Sequence, residues 1–289
     1  MLKDSNFMKQ MGELLTFHKI INRPQDLTNG NVNDLIVEFQ EKIDIMADGS
    51  PKWETLWQMQ YPWILEQPKL PFVQCDADQL PGISGEDHVW LRADAAEQYN
   101  ALRKEVLSLG GVLPVDGGKR ELSEKESTGK SITSLHYIGL AFDLPSTAGF
   151  FKPDTDPFVI TAGGNGYWEI WLRAKDGKDI KLNVFYWDDP NSGVDRTKTV
   201  AGKFLNFTKL CAKYGFQPIR PRLSFTRAKD RKYIGCEWWH FQSHETLISN
   251  LSQLGIELLR IEGYTPELIQ KTNEALWGRK QAIYQVDWI

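Results

Sequence analysis

No apolar stretch of this chain approaches the ~18 residues that a membrane-crossing helix needs. The first twenty residues, MLKDSNFMKQMGELLTFHKI, place charges inside every short apolar run, so a secretory leader is not expected. Cysteine is scarce. Cys75, Cys211 and Cys236 are widely spaced and odd in number, which argues against a disulfide framework and for buried thiols. A basic excess is missing too: the formal net charge is −4, whereas a nucleic-acid binder more usually carries a basic field. What the chain has in abundance is tryptophan, eleven in 289 residues. That residue serves cores, interfaces and sugar-stacking surfaces alike.

Hydrophobic spacing organises the rest. Leu35, Ile36, Phe39 and Ile43 recur at helical intervals, the run breaks at ADGS, and Trp53, Leu56 and Trp57 restart it. These residues predict a small helical unit ending near Tyr61. The proline-bearing YPWILEQPKLPF then reads as a linker. A longer helix is expected from Asp94, with Glu97 completing a capping box, an apolar face of Tyr99, Leu102, Val106 and Leu109, and Gly110–Gly111 at its end. VLPVDGGKR reads as a short strand running into a turn. Further on, two β-rich runs flank Asp176–Gly177, a hairpin signal. A second amphipathic helix is expected over TVAGKFLNFTKLCAKYGF, with Val200, Phe204, Phe207, Cys211 and Tyr214 on one side, followed by a helical tail. The mixture predicts an α+β fold, with a small antiparallel sheet, flanking helices and a small helical unit in front.

One group of side chains carries chemistry. Hydrolytic zinc sites need three protein ligands and a fourth position for water, with a carboxylate outside the ligand set to take the proton. His136, Asp143 and His240 fit the ligand roles, and Glu237, three positions before the last, fits the base. IGLAFD contains β-formers, which puts Asp143 on a strand that His136 precedes. Gly139 and Ala141 would let neighbouring backbone approach closely. Trp238 and Trp239, between Glu237 and His240, are bulky enough to shield the site from water. His18 and His88 lack a ligand pattern and are read as structural. His244 follows His240 by four residues, but no HExxH glutamate intervenes and HETL reads as a helix start.

S-x-H-x-x-G-x-A-x-D (Ser134, His136, Gly139, Ala141, Asp143) followed by E-x-W-H (Glu237, Trp239, His240) resembles the zinc D-alanyl-D-alanine carboxypeptidase family of LAS-type metallopeptidases. That family includes endolysins cutting L-alanyl-D-glutamate bonds. The resemblance spans roughly residues 85 to 245. It implies Zn²⁺ held by His136, Asp143 and His240, with Glu237 as catalytic base. It also implies a substrate-binding arginine, for which Arg120 is the candidate, with Lys119 where an aromatic residue is usual. Two departures stand out: Trp238 replaces a frequent proline, and the span from Asp143 to Glu237 is long, holding an aromatic-rich insertion near 150–200.

A second resemblance covers LIVEFQEKIDIMADGSPKWETLWQM, where Phe39, Gln40, Asp48, Gly49 and Thr55 look like the pattern of helical peptidoglycan-binding modules. An ordinary helical hairpin packed on the enzyme is the alternative. The expected division is therefore a helical unit over 1–66 and a zinc peptidase domain over 67–289. The expected function is hydrolysis of peptidoglycan stem peptides by a carboxypeptidase or endopeptidase, an endolysin-like role in cell wall degradation. It would be made in the cytoplasm and act on the wall or periplasm after release or non-classical export. The rivals are a non-catalytic wall-binding protein that retains the fold, and zinc hydrolysis of an amide outside the wall.

Overall fold

The computed structural model describes residues 5–127, 130–187, 195–226, 233–279 and 283. It is α+β, as expected. Helices α1 (Ser5–Phe17), α2 (Val32–Lys42) and α3 (Trp53–Leu65) lead into strands β1 (Phe72–Asp76) and β2 (His88–Arg92) and helix α4 (Ala93–Ser108). Strands β3 (Ala141–Asp143), β4 (Phe158–Ala162), β5 (Trp168–Trp187) and β6 (Asp195–Asn206) follow. After them come α5 (Phe207–Lys213), β7 (Phe216–Pro218), α6 (Leu223–Thr226) and β8 (His240–Ser243). Helices α7 (Leu254–Leu259), α8 (Pro266–Thr272) and α9 (Glu274–Gly278) close the described chain. Among the described residues, no helix is long and apolar enough to cross a membrane.

The chain divides into two compact units, and neither is continuous in sequence. The first joins Met1–Pro71 and Leu122–Lys125 to Leu247–Ile289; the second holds Phe72–Glu121 and Glu126–Thr246. The expected division at residue 66 had left the C-terminal segment with the peptidase domain, whereas here it completes the N-terminal helices. Their core shows why. Phe7, Met11, Leu14 and Leu15 of α1, Ile36 and Phe39 of α2, and Leu56 and Met59 of α3 pack with Leu251. Gln60 adds donor contacts to the carbonyl of Leu251 and to Gln253 Oε1, at 3.0 and 3.4 Å. The supposed linker begins inside α3, which carries Pro62 and ends only at Leu65.

The peptidoglycan-module residues of this unit have a structural use. The side-chain amide of Gln40, buried, directs its two N–H groups at Thr55 Oγ1 (3.0 Å), the Ser50 carbonyl (3.1 Å) and, sharing one of them, Asp48 Oδ1 (3.3 Å). Its oxygen accepts from the Gly49 N–H at 2.9 Å, and Gly49 takes φ +69°. The Phe-Gln…Asp-Gly…Thr pattern thus closes the α2–α3 loop upon one amide. His18, read as structural, caps the same region through its Nε2 and the Met59 carbonyl, 2.8 Å apart.

In the second unit the sheet order β3-β8-β7 is antiparallel, with Phe142 opposite Phe241 and Asp143 opposite His240. Strand alternation sends each pair to its own face. Phe142 and Phe241 stack at 5.6 Å and meet Phe216, Tyr99 and Phe207 in the core. Asp143 and His240 face the other way. Helix α4 buries Tyr99, Leu102 and Val106 as its spacing predicts. Its N-cap is Arg92 rather than Asp94, and no capping box forms: the Asp94 carboxylate pairs with the Arg92 guanidinium at 2.8 Å.

Two expectations fail in the aromatic insertion. Asp176–Gly177 is no hairpin turn. β5 runs through it for 20 residues, and the register jumps so that Phe204 faces both Arg173 and Lys178. The extra residues form a bulge whose Lys175 and Asp176 N–H groups bond the carbonyls of Gly110 and Leu109 at the end of α4. A Cβ on Gly177 would lie 2.6 Å from the Phe204 backbone, so only glycine permits the kink. Residues 195–206 form strand β6 rather than the start of a helix, and only Phe207–Lys213 is helical.

Candidate metal centre

Each part of the first motif has a mechanical reason. Ser134 caps a 3₁₀ turn over Leu135–Ile138, its Oγ accepting from the His136 N–H, and Gly139 ends that turn at φ +65°. A Cβ at Gly139 would come within 2.7 Å of the Arg92 backbone nitrogen, the close approach that its lack of a side chain allows. The turn lifts His136 beside β3, and β8 delivers His240 opposite Asp143.

The three ligand atoms converge. His136 Nε2 lies 3.2 Å from His240 Nδ1 and 3.3 Å from Asp143 Oδ2, and His240 Nδ1 lies 2.9 Å from Asp143 Oδ1. Among the described residues this is the one group arranged to hold a metal ion. Four tetrahedral ligands at about 2.0–2.1 Å from an ion stand about 3.3 Å apart, so the spacing suits a metal ion held at such distances.

The outer nitrogens sharpen the fit. His136 Nδ1 sits 2.6 Å from the carbonyl of Gly118, which can only accept, so Nδ1 carries the hydrogen and a neutral ring leaves Nε2 bare. His240 Nε2 faces Gln242 Oε1 at 3.4 Å, which leaves Nδ1 bare by the same logic. Gln242 in turn donates to His244 Nε2 at 2.7 Å. Two lone pairs and a carboxylate therefore point at one another inside a buried site, an arrangement that repels unless a cation lies between them. A proton can play that part as well as a metal ion, and the ionisation of the cluster reflects it. Burial opposes a charged Asp143, yet the two imidazoles hold its carboxyl well below the usual range. Burial likewise opposes a charged His240, and Asp143 overrides it. His244 is kept toward the neutral form, chiefly by burial, which suits its accepting role outside the cluster.

Glu237 lies in the turn before β8, 8% exposed in its side chain, with φ +44°. A side chain with a Cβ seldom occupies that left-handed region. Burial raises its pKa above the ordinary carboxylate value, with Arg222, His240 and Arg120 pulling the other way. The turn is held from the insertion: the Trp168 indole of β5 donates to the Cys236 carbonyl at 2.7 Å.

A cleft of about 430 Å³ opens onto the cluster, lined by Arg120, Lys130, Arg222, Glu237 and Trp239 among others. Trp238, expected to shield the site beside Trp239, is fully buried and packs near Phe158 instead. Arg120 lies over the Tyr137 ring at 5.2 Å, and one of its guanidinium nitrogens is 3.3 Å from the Ser131 carbonyl. Arg222 forms an ion pair through its Nε with Glu237. Neither Arg222 nor Gly118 was singled out in the sequence. Arg222 sits in a basic stretch that resembles a solvated surface. For Gly118 the Gly-Gly signal of a turn was present, but not its purpose: a Cβ there would lie 2.3 Å from Val89 and 2.8 Å from the Trp90 carbonyl.

No family model, curated protein or solved structure matches this chain.

Proposed function

We propose that this protein is a zinc-dependent peptidase acting on peptidoglycan stem peptides. The observation that carries the reading is the convergence of two bare imidazole nitrogens and a carboxylate beside a buried glutamate outside the ligand set. His136, Asp143 and His240 would hold the metal. A zinc ion there supplies a Lewis acid and lowers the pKa of its water to about 7. Glu237 takes the proton from the attacking water on its carboxylate and returns it to the leaving amine as the C–N bond breaks. Its raised proton affinity suits both halves of that task. Arg120 holds the substrate from the cleft wall. The substrate class rests on the motif resemblance, and the setting would be the bacterial wall or periplasm.

The test has two stages. Metal analysis of protein purified without added zinc should find about one zinc per chain, and His136→Ala and His240→Ala should lose it. Mass spectrometry of digested, purified peptidoglycan should then show a cut stem peptide. Full zinc retention by both variants would end the ligand assignment, and an intact wall would favour the non-catalytic binding protein.

A further inference from the structure

One wall of the cleft is built from a single irregular run of chain. Arg120, Lys130, Ser131, Thr133 and Ser134 all line it, and between Arg120 and Ser134 the described residues belong to neither a helix nor a strand. Point contacts hold the run instead. The Lys119 N–H donates to the Trp90 carbonyl at 2.7 Å, and the Arg120 N–H to the His136 carbonyl at 2.9 Å. Ser127 and Lys130 exchange a pair of backbone bonds at 3.2 and 2.9 Å, and the Ser134 N–H reaches the Ser131 carbonyl at 3.3 Å.

The run also makes a detour. The chain leaves the second unit after Glu121, spends Leu122–Lys125 in the first, and returns at Glu126. Within the first unit the detour meets Asn273, which is 5% exposed and lies between α8 and α9. Its side-chain nitrogen donates to the Leu122 carbonyl at 3.0 Å and to the Glu124 carbonyl at 3.3 Å. Its oxygen accepts from the Leu276 N–H at 3.0 Å and so caps α9. Donor and acceptor ends of one buried amide are both used, which neither aspartate nor alanine can reproduce. A buried carbonyl deprived of its donor is costly, so the amide gives the detour a fixed landing point. The anchor also shortens the span on either side, which lowers the entropy lost in ordering it.

We propose that Asn273 is a positioning residue for the cleft: by fixing Leu122 and Glu124 it sets where Arg120 and residues 130–133 stand. A side chain about 150 positions further along the chain thus governs how substrate is held without touching it. The inference rests on the peptidase reading for its kinetic arm and not for its structural one.

The experiment compares full-length, zinc-loaded wild type with Asn273→Asp. That change keeps an oxygen for the Leu276 N–H but turns an acceptor toward two carbonyls. Amide exchange followed by NMR should quicken about tenfold or more at Arg120, Ser127, Lys130 and Ser134, and stay as in wild type in α2 and β8. On a soluble stem peptide KM should rise about tenfold, with kcat and zinc content within a few-fold. Thr265→Ala, which removes the Oγ1 cap from the Leu268 N–H of α8, weakens the same helices and should leave the four amides unchanged. Should Asn273→Asp fail to fold, Asn273→Ser, whose hydroxyl can still cap α9, carries the same comparison. Unaltered exchange at the four amides would overturn the proposal. So would faster exchange throughout the first unit, or the same loosening in Thr265→Ala, since either makes Asn273 a general prop. Local loosening with KM unmoved would overturn its role in the cleft. If wild type cuts no wall peptide, the peptidase reading falls, and the exchange pattern alone upholds or overturns the anchoring of the wall.

Discussion

Glu237 unites burial, a carboxylate and a left-handed backbone, each of which costs stability. A non-glycine residue in that region costs on the order of 1–3 kcal/mol. A chain retaining this fold only to bind would gain by placing glycine or asparagine there, so the observation weighs against the non-catalytic rival. Glu237→Gln should keep zinc and fold while turnover drops about 10²–10⁴-fold, the usual worth of a positioned proton carrier. Metal content, a melting curve and a rate on soluble stem peptide check it, and a rate within a few-fold of wild type moves the base elsewhere. At this scale the sequence was most legible where spacing itself is mechanical: Ser134 caps, His136 projects, Gly139 terminates and Asp143 follows on a strand. It was illegible where a role depends on a partner brought by folding, as with Arg222, Gly118 and Trp238.

Among the elements, β5 does more than extend a sheet. Its Trp168 fixes the carbonyl next to Glu237. Trp168→Phe keeps most of the ring packing and removes that donor. We expect roughly tenfold slower turnover from a displaced base, with zinc content unchanged; unaltered turnover would separate the insertion from the site. In the α2–α3 loop, Gln40→Ala should destabilise the helical unit by about 1–3 kcal/mol, since it strands the buried partners of one amide, and denaturant unfolding reads this directly. The misread elements share a physical cause. Val200 and Phe204, four apart, lie on one face of either a helix or a strand, because four is close to a helical turn and also an even number. Asp176–Gly177 suits a hairpin turn and a bulge equally, and only the presence of Phe204 across the strand decides.

At the scale of the whole molecule, residues 1–66 share a core with Leu251. Removing them should expose apolar surface on what remains of that unit, lowering the melting temperature and solubility. Activity should then fall together on a small soluble muropeptide and on insoluble sacculi. A detachable wall-binding module predicts a different pattern, a loss on sacculi alone through reduced effective concentration at the polymer. Parallel assays on both substrates separate the two. Hydrophobic spacing pointed to an N-terminal helical unit and a larger mixed one, whereas both compact units are discontinuous in sequence. The return of the C-terminal segment did not show in the sequence, because the helical spacing of LISNLSQLGIELL fits packing against any apolar face.

That return sets an order of events during synthesis. The ribosome makes α1 to α3 first, yet Leu251 and Gln253, which complete their packing, are made only after the residues of the second unit. At elongation speeds of about 5–20 residues per second the interval is on the order of ten seconds or more. Throughout it the N-terminal helices carry part of their apolar face uncovered, while the centre that gathers His136, Asp143 and His240 can already close. The nascent helices, rather than the unit that gathers the candidate metal centre, are thus the segment left incomplete longest.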